Sequence, residues 1–162
     1  MNVIENKKHL KKLSELFNIN YGMRSLHTKR DLVEGETLVI SLKGTDNGTF
    51  GFFDLSPEYK NYSFITVPST GSIGCVFVQE YECCVDDNCL VLIPKIELDF
   101  NICELFFVAS ILIKESWRFK YGRQVTPDRI DNFIIDFNYC DYDKLNTMFK
   151  KCIELYKNLL ME

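Results

Sequence analysis

Seven side chains in this sequence combine hydrogen-bond donors or acceptors with a setting of turn-forming residues. Asn47 precedes Gly48, Ser69 and Thr70 precede Gly71-Ser72-Ile73-Gly74, and Arg123-Gln124 follow Tyr121-Gly122, while Arg24 and Lys43 lie in polar loops. Such groups, held on rigid turns, suit the edges of bases: a guanidinium matches guanine, and an Asn or Gln amide matches adenine. Lys29, Arg30, Lys120 and Tyr121 are of the types that hold phosphate oxygens and so set register without reading sequence. A plainer reading stands beside this one. Arg123 can serve a structural ion pair, and Gly71 to Gly74 can be a tight turn into a strand.

Catalytic constellations are weak by comparison. A methyltransferase needs a Gly-rich cofactor loop and an Asp/Asn-Pro-Pro-Tyr type tetrapeptide, and Ser56-Pro57-Glu58-Tyr59 lacks the second proline. Metal-dependent cleavage needs clustered carboxylates with a lysine. Asp46 or Asp54 with Glu58-Tyr59-Lys60 fits that pattern only loosely, around a Ser-Pro turn. His9 and His27 both fall in the basic N-terminal third, and neither can be paired with a nucleophile. Gly71-x-x-Gly74 lacks the Lys-Ser/Thr of a phosphate-binding loop. Cys83-Cys84 and Cys89 do not form two Cys-x-x-Cys knuckles and have no histidine nearby, so they read as buried strand cysteines and no metal is expected.

The net charge of −4 opposes nucleic-acid binding, because phosphate contacts supply most non-specific affinity. Its distribution answers part of that objection. Residues 1–30 carry seven Lys/Arg against two acids, and residues 114–129 carry five against two. The rest of the chain is strongly acidic, so a cationic face on an acidic body is one reading and two solvated helix ends the other.

A chain of 162 residues with 46% hydrophobic and 14% aromatic content fits one globular domain. Lys7, Lys8, Lys11 and Lys12 interrupt any N-terminal apolar segment, and the longest apolar run, Leu105 to Ile113, is short of the roughly 20 residues of a membrane span. No membrane association, a cytoplasmic location and reduced thiols for the seven cysteines are therefore expected.

These groups must be positioned by a mixed set of elements. The spacing predicts a short helix over Lys7–Phe17, with Leu10, Leu13 and Phe17 on one stripe. Strands are predicted over Glu36–Leu42, Thr49–Phe53, Ser63–Val67, Ile73–Gln79 and Asn88–Ile93, with Asp46-Asn47-Gly48 as a tight turn. A buried helix starts at Asn101, capped by a box with Glu104, and ends at Gly122. Thr126-Pro127 opens one helical turn, Phe133–Phe137 forms a last strand, and Tyr142 to Met161 forms an amphipathic helix with Leu145, Met148, Phe149 and Cys152 on its seam.

Read in order, Leu16-Phe17, Tyr21-Gly22, Asn47-Gly48 with Phe50-Gly51, Ile65-Thr66-Val67, Gly71-Ser72-Ile73-Gly74 with Phe77-Val78-Gln79, Leu92-Ile93-Pro94-Lys95 and Phe119 to Gln124 make up a series of signatures. That series resembles a target-recognition domain of the restriction–modification specificity subunit family, of Type I and related Type II systems. The resemblance implies an α+β fold: a mixed, twisted and curved β-sheet with a buried helix and a C-terminal amphipathic helix. It implies a recognition domain over 1–140, and a C-terminal helix over 141–162 that contacts a partner or makes a homodimer. It further implies a non-catalytic reader of double-stranded DNA that serves an adenine methyltransferase, with S-adenosylmethionine bound by that partner and no cofactor of its own. By the same resemblance the Asn-Gly turn, the Gly-Ser-Ile-Gly loop and the Tyr-Gly-Arg segment face DNA. A single copy departs from the usual two recognition domains. The rival expectations are a protein-interaction module or inhibitor that has lost DNA, and a metal-dependent nuclease.

Overall fold

The computed structural model describes residues 10–24, 32–119, 124–136 and, in the tail, 144, 147, 148, 150 and 151. In chain order the elements are β1 (Leu10–Lys12), α1 (Leu13–Leu16), β2 (Phe17–Tyr21), β3 (Glu34–Ile40), β4 (Thr49–Phe53), β5 (Phe64–Pro68) and β6 (Phe77–Gln79). They continue with β7 (Cys83–Val85), β8 (Cys89–Pro94), α2 (Ile102–Glu115), α3 (Pro127–Ile130) and β9 (Ile134–Asp136).

The strands make a four-stranded sheet in the order β2-β8-β5-β6, a three-stranded sheet in the order β4-β3-β7, and the antiparallel pair β1-β9. Among the strands named above, every pairing is antiparallel except that of β3 with β7, which makes the smaller sheet mixed. The fold is thus α+β, as expected. Strands β5 and β8 are buried on both faces, which is why they read as almost unbroken apolar runs instead of alternating ones. Leu90 and Leu92 of β8, with Ile65 and Val67 of β5, join Leu105, Val108, Ala109 and Leu112 of α2 in the larger core. The opposite face puts Cys89 and Val91 against Ile40, Tyr59, Phe64, Cys83 and Val85 beside the smaller sheet.

Helix α2 begins as its sequence dictates. Asn101 Oδ1 accepts from the Glu104 N–H at 3.1 Å, and Glu104 Oε2 accepts from the Asn101 N–H at 2.8 Å. The α-helix stops at Glu115 and tightens into a 3-10 turn over Ser116–Phe119. The predicted end at Gly122 lies outside the described residues, as does most of the predicted C-terminal helix. Thr126 and Pro127 open α3 as predicted.

Three expectations need correction. The helix predicted over Lys7–Phe17 is, from residue 10 on, a strand, a single helical turn and a second strand. Leu13 and Phe17 are buried, but Leu10 is 62% exposed, because Leu10–Lys12 pairs with Asp136–Ile134 instead of joining a helical stripe. Only the end of the predicted strand Ile73–Gln79 is extended. Gly71 and Gly74 have φ of 66° and 102°, and the Ile73 N–H donates to the Gly71 carbonyl, so the chain turns until Phe77. Strand β7 was not predicted. Its three residues are too few to show a period, and its parallel pairing with β3 and a bridge from Cys83 to Tyr59 make it a strand.

Candidate nucleic-acid interface

The strand register brings one set of chain ends to a common edge. Pro68, the last residue of β5, lies opposite Cys89, the first of β8, and Tyr21, the last of β2, lies opposite Leu90. Ile40 and Val85 end β3 and β7 side by side. Hydrogen bonds join the loops that leave this edge. The Ser69 N–H donates to the Asn88 carbonyl at 2.9 Å, the Val125 N–H to the Ser69 carbonyl at 3.0 Å, and the Asp86 N–H to the Ile40 carbonyl at 2.9 Å. Arg24 closes the set, donating its N–H to Val85 and accepting from the Asp87 N–H. The edge therefore collects the loops containing Arg24, Lys43 and Asn47, Ser69 and Thr70, and Gln124. Lys29, Arg30, Lys120, Tyr121 and Arg123 lie outside the described residues.

Glycines at this edge mark close approaches. A Cβ on Gly22 would stand 2.2 Å from the Asp86 carbonyl oxygen, so the Tyr21-Gly22 signature lets β2 cross the β7–β8 turn. That turn is built by Asp86, whose Oδ1 accepts from the Asn88 N–H at 2.8 Å and from Asn88 Nδ2 at 3.1 Å. Burial pushes the Asp86 carboxyl above its ordinary value.

The expected site residues differ in what their side chains are doing. The Arg24 guanidinium reaches Glu58 Oε1 at 2.7 Å, with Cys84 Sγ beyond it at 3.9 Å. This ion pair is mostly buried, and Arg24 Nε and Glu58 Oε2 have no hydrogen-bond partner among the described residues. Lys43 is exposed and pairs with Asp46, and the lysine, by hydrogen bond first, holds the Asp46 carboxyl below its ordinary value. Asn47 uses its amide inside the protein: Nδ2 donates to the Val78 carbonyl and to Gln79 Oε1, both at 3.1 Å. Ser69 is buried at the end of β5, Thr70 is half-buried, and Gln124 is exposed with its carbonyl accepting from Arg129 Nη1 at 2.9 Å. The carboxylates of the nuclease reading are not grouped by these contacts, since Glu58 is taken by Arg24 and Asp46 by Lys43.

One residue that belongs with this site was expected only as part of a strand and a signature, not as a site residue. Gln79 is 1% exposed, and its Nε2 donates to the Asn47 carbonyl at 3.0 Å and to Thr66 Oγ1 at 2.9 Å. A glutamine closing the apolar run Val76-Phe77-Val78 was the available signal, because a buried amide must find partners.

The thiols sit behind the edge. Burial pushes Cys83 and Cys89 up to about 12 and raises Cys84 as well. Thiols so protonated are poor nucleophiles and poor metal ligands.

Among curated proteins none matches this chain. Solved structures do. The HsdS subunit from Thermoanaerobacter tengcongensis aligns over 93% of this chain and 39% of its own, at 15% identity and a TM-score of 0.60. The Type-I restriction-modification system S subunit from M. genitalium aligns over 99% of this chain and 43% of its own, at 18% identity and a TM-score of 0.58. A chain from a type I R-M system assembly aligns over 93% and 40%, at 14% identity and 0.61. At these identities the likeness is one of fold, and this chain spans about two fifths of the length of each of the three. The family model of the Type I restriction modification DNA specificity domain matches residues 5–138, which covers β1 to β9 and α1 to α3. The chain belongs to that family of DNA specificity domains.

Proposed function

We propose that this chain reads a short sequence in double-stranded DNA as the specificity component of an adenine-methylating restriction–modification system. The observation that carries the reading is the family match over residues 5–138, beside which the loops containing Arg24, Lys43, Asn47, Ser69, Thr70 and Gln124 leave one edge of the sheets. Rigid turns at such an edge can hold donors and acceptors at fixed spacing against the major groove. Arg24, Lys43, Thr70 and Gln124 supply those groups beside the buried Ser69, and Lys29, Arg30, Lys120, Tyr121 and Arg123 add cationic and hydrogen-bonding side chains from adjoining segments.

The domain does no chemistry of its own in this reading. It sets the target adenine for a partner methyltransferase that binds S-adenosylmethionine, while residues 141–162 contact that partner or a second copy of the chain. The cytoplasm, where such DNA lies, is its place of action, and among the described residues no helix is long and apolar enough to cross a membrane. Residues 1–140 form the recognition unit.

A rival reading has one observation behind it. The two described cations among the edge candidates, Arg24 and Lys43, already face carboxylates, which suits a domain that binds a protein and has lost DNA. Pull-down of the tagged chain from its host separates the two. Recovery of an adenine methyltransferase, with genomic methylation that disappears when the chain is deleted, is the expected result. Recovery of unrelated proteins, with no salt-dependent DNA binding, would overturn the DNA-reading proposal.

A further inference from the structure

We infer that Asn47 and Gln79 form a positioning pair, which fixes the β3–β4 turn against the edge of the larger sheet and so sets the spacing of the recognition loops. The inference rests on the DNA-reading proposal and deepens it by separating the frame from the readers. Bidentate reading of adenine requires one free donor and one free acceptor on the amide. Both N–H groups of Asn47 Nδ2 are committed within the protein, to Val78 and Gln79, so Asn47 cannot read adenine in the manner its sequence context suggests.

The contacts specify a frame. Asp46, Asn47 and Gly48 all have positive φ (52°, 53° and 78°), a conformation that is unfavourable for the first two and needs outside support. Support comes from Gln79 at the end of β6, whose amide holds the Asn47 carbonyl and side chain together while Thr66 Oγ1 anchors it to β5. The turn thus hooks one sheet onto the other. Lys43 lies just before it, and Gly44 abuts the loop that follows Ser69 and Thr70: a Cβ there would stand 2.9 Å from Ser72 Oγ. Cys75 Sγ also reaches the Gly44 carbonyl at 3.6 Å. Apolar packing would leave such a turn free to slide, whereas directional amide bonds fix its offset.

The test is selection of bound duplexes from a randomised pool by the wild-type chain, Gln79→Leu, Asn47→Gly and the double variant, with salt dependence measured for each. Asn47→Gly preserves the left-handed turn and removes the amide. Both single variants are expected to keep the wild-type salt slope while discrimination falls roughly tenfold, spread over several base positions. The double variant should be no worse than the singles, because the pair acts as a unit. Unchanged discrimination in both single variants would overturn the inference. So would loss at one base position in Asn47→Gly, which makes Asn47 a direct reader. Should Gln79→Leu not fold, Asn47→Gly at the exposed turn decides by the same two patterns. A wild-type chain that enriches no sequence removes the DNA-reading proposal itself, a result distinct from a wild type that selects sharply and variants that match it.

Discussion

The two faces of the larger sheet are built from different chemistry. Toward α2, Ile65, Val67, Leu90 and Leu92 meet Leu105, Val108 and Leu112 in an aliphatic layer. Toward the smaller sheet the contacts include two cysteines, a tyrosine, a glutamine amide and, behind them, the Arg24–Glu58 ion pair. Aliphatic packing stabilises without specifying direction, while buried polar contacts add little net stability but fix orientation when they are satisfied. The α2 face therefore holds the domain together, and the opposite face aims the loops.

Substitution in the α2 face should have the largest effect on stability. Leu105 is fully buried, and Leu105→Ala is expected to cost about 2–5 kcal/mol, read as a lower denaturant midpoint. Sequence preference of the folded fraction should be unaltered. A variant that folds stably but reads a different sequence would break the division between the two faces.

The second face should declare itself in alkali. Cys83 and Cys89 are protonated up to about 12 in the folded chain against an ordinary value of 9.0. Below pH 9 both states hold these protons and stability is fully present. Between pH 9 and 12 the unfolded chain releases them and the folded chain does not, so stability falls as pH rises, by up to about 1.4 kcal/mol per pH unit for each thiol. Tyr59, also pushed up to about 12 by burial, joins from pH 10. Urea midpoints measured at pH 8, 9.5 and 10.5 should decline, and Cys83→Ala should flatten the decline; a midpoint that does not move with pH contradicts the burial of these groups.

Removing half of the ion pair should cost less than a core leucine. Glu58→Gln leaves the Arg24 guanidinium without its carboxylate in a mostly buried setting, for about 1–3 kcal/mol, below the cost of breaking a fully buried pair because Arg24 retains some contact with solvent. Arg24→Lys should not substitute for Arg24, since an ammonium lacks the planar fork. If Glu58→Gln raises DNA affinity, the freed guanidinium binds phosphate, and the glutamate is holding a cation back from the interface.

Much of this division was legible in the residues, and the rest was not for identifiable reasons. The Asn101–Glu104 box, Thr126-Pro127 and the Asn-Gly turn are local signals, and each appears where it was read. Strands β5 and β8 announced themselves because burial on both faces leaves an unbroken apolar run. The region around Leu10–Tyr21 misled, because Leu13 and Phe17 are core residues at helical spacing on a chain that turns between two strands. The tertiary partner β9, some 120 residues away, decides that outcome. At the site, residue type identified Arg24 and Asn47, but only the fold shows that their polar groups are already engaged by Glu58 and Gln79.

The smallest effect belongs to Lys43, and it sharpens the contrast from the other side. Lys43 is exposed at the loop edge, where its ammonium faces Asp46 and nothing buried depends on it. Lys43→Ala should leave the unfolding midpoint almost where it is. If the edge binds DNA, the same change should weaken binding to every sequence alike and lower the salt slope by about one, the signature of a single lost phosphate contact. A loss confined to one base position would instead make Lys43 a reader, since lysine can also donate to guanine. Asp46→Asn distinguishes the two further. Removing the competing carboxylate should raise affinity for all sequences if Lys43 binds phosphate, because the lysine no longer exchanges an internal partner for the external one.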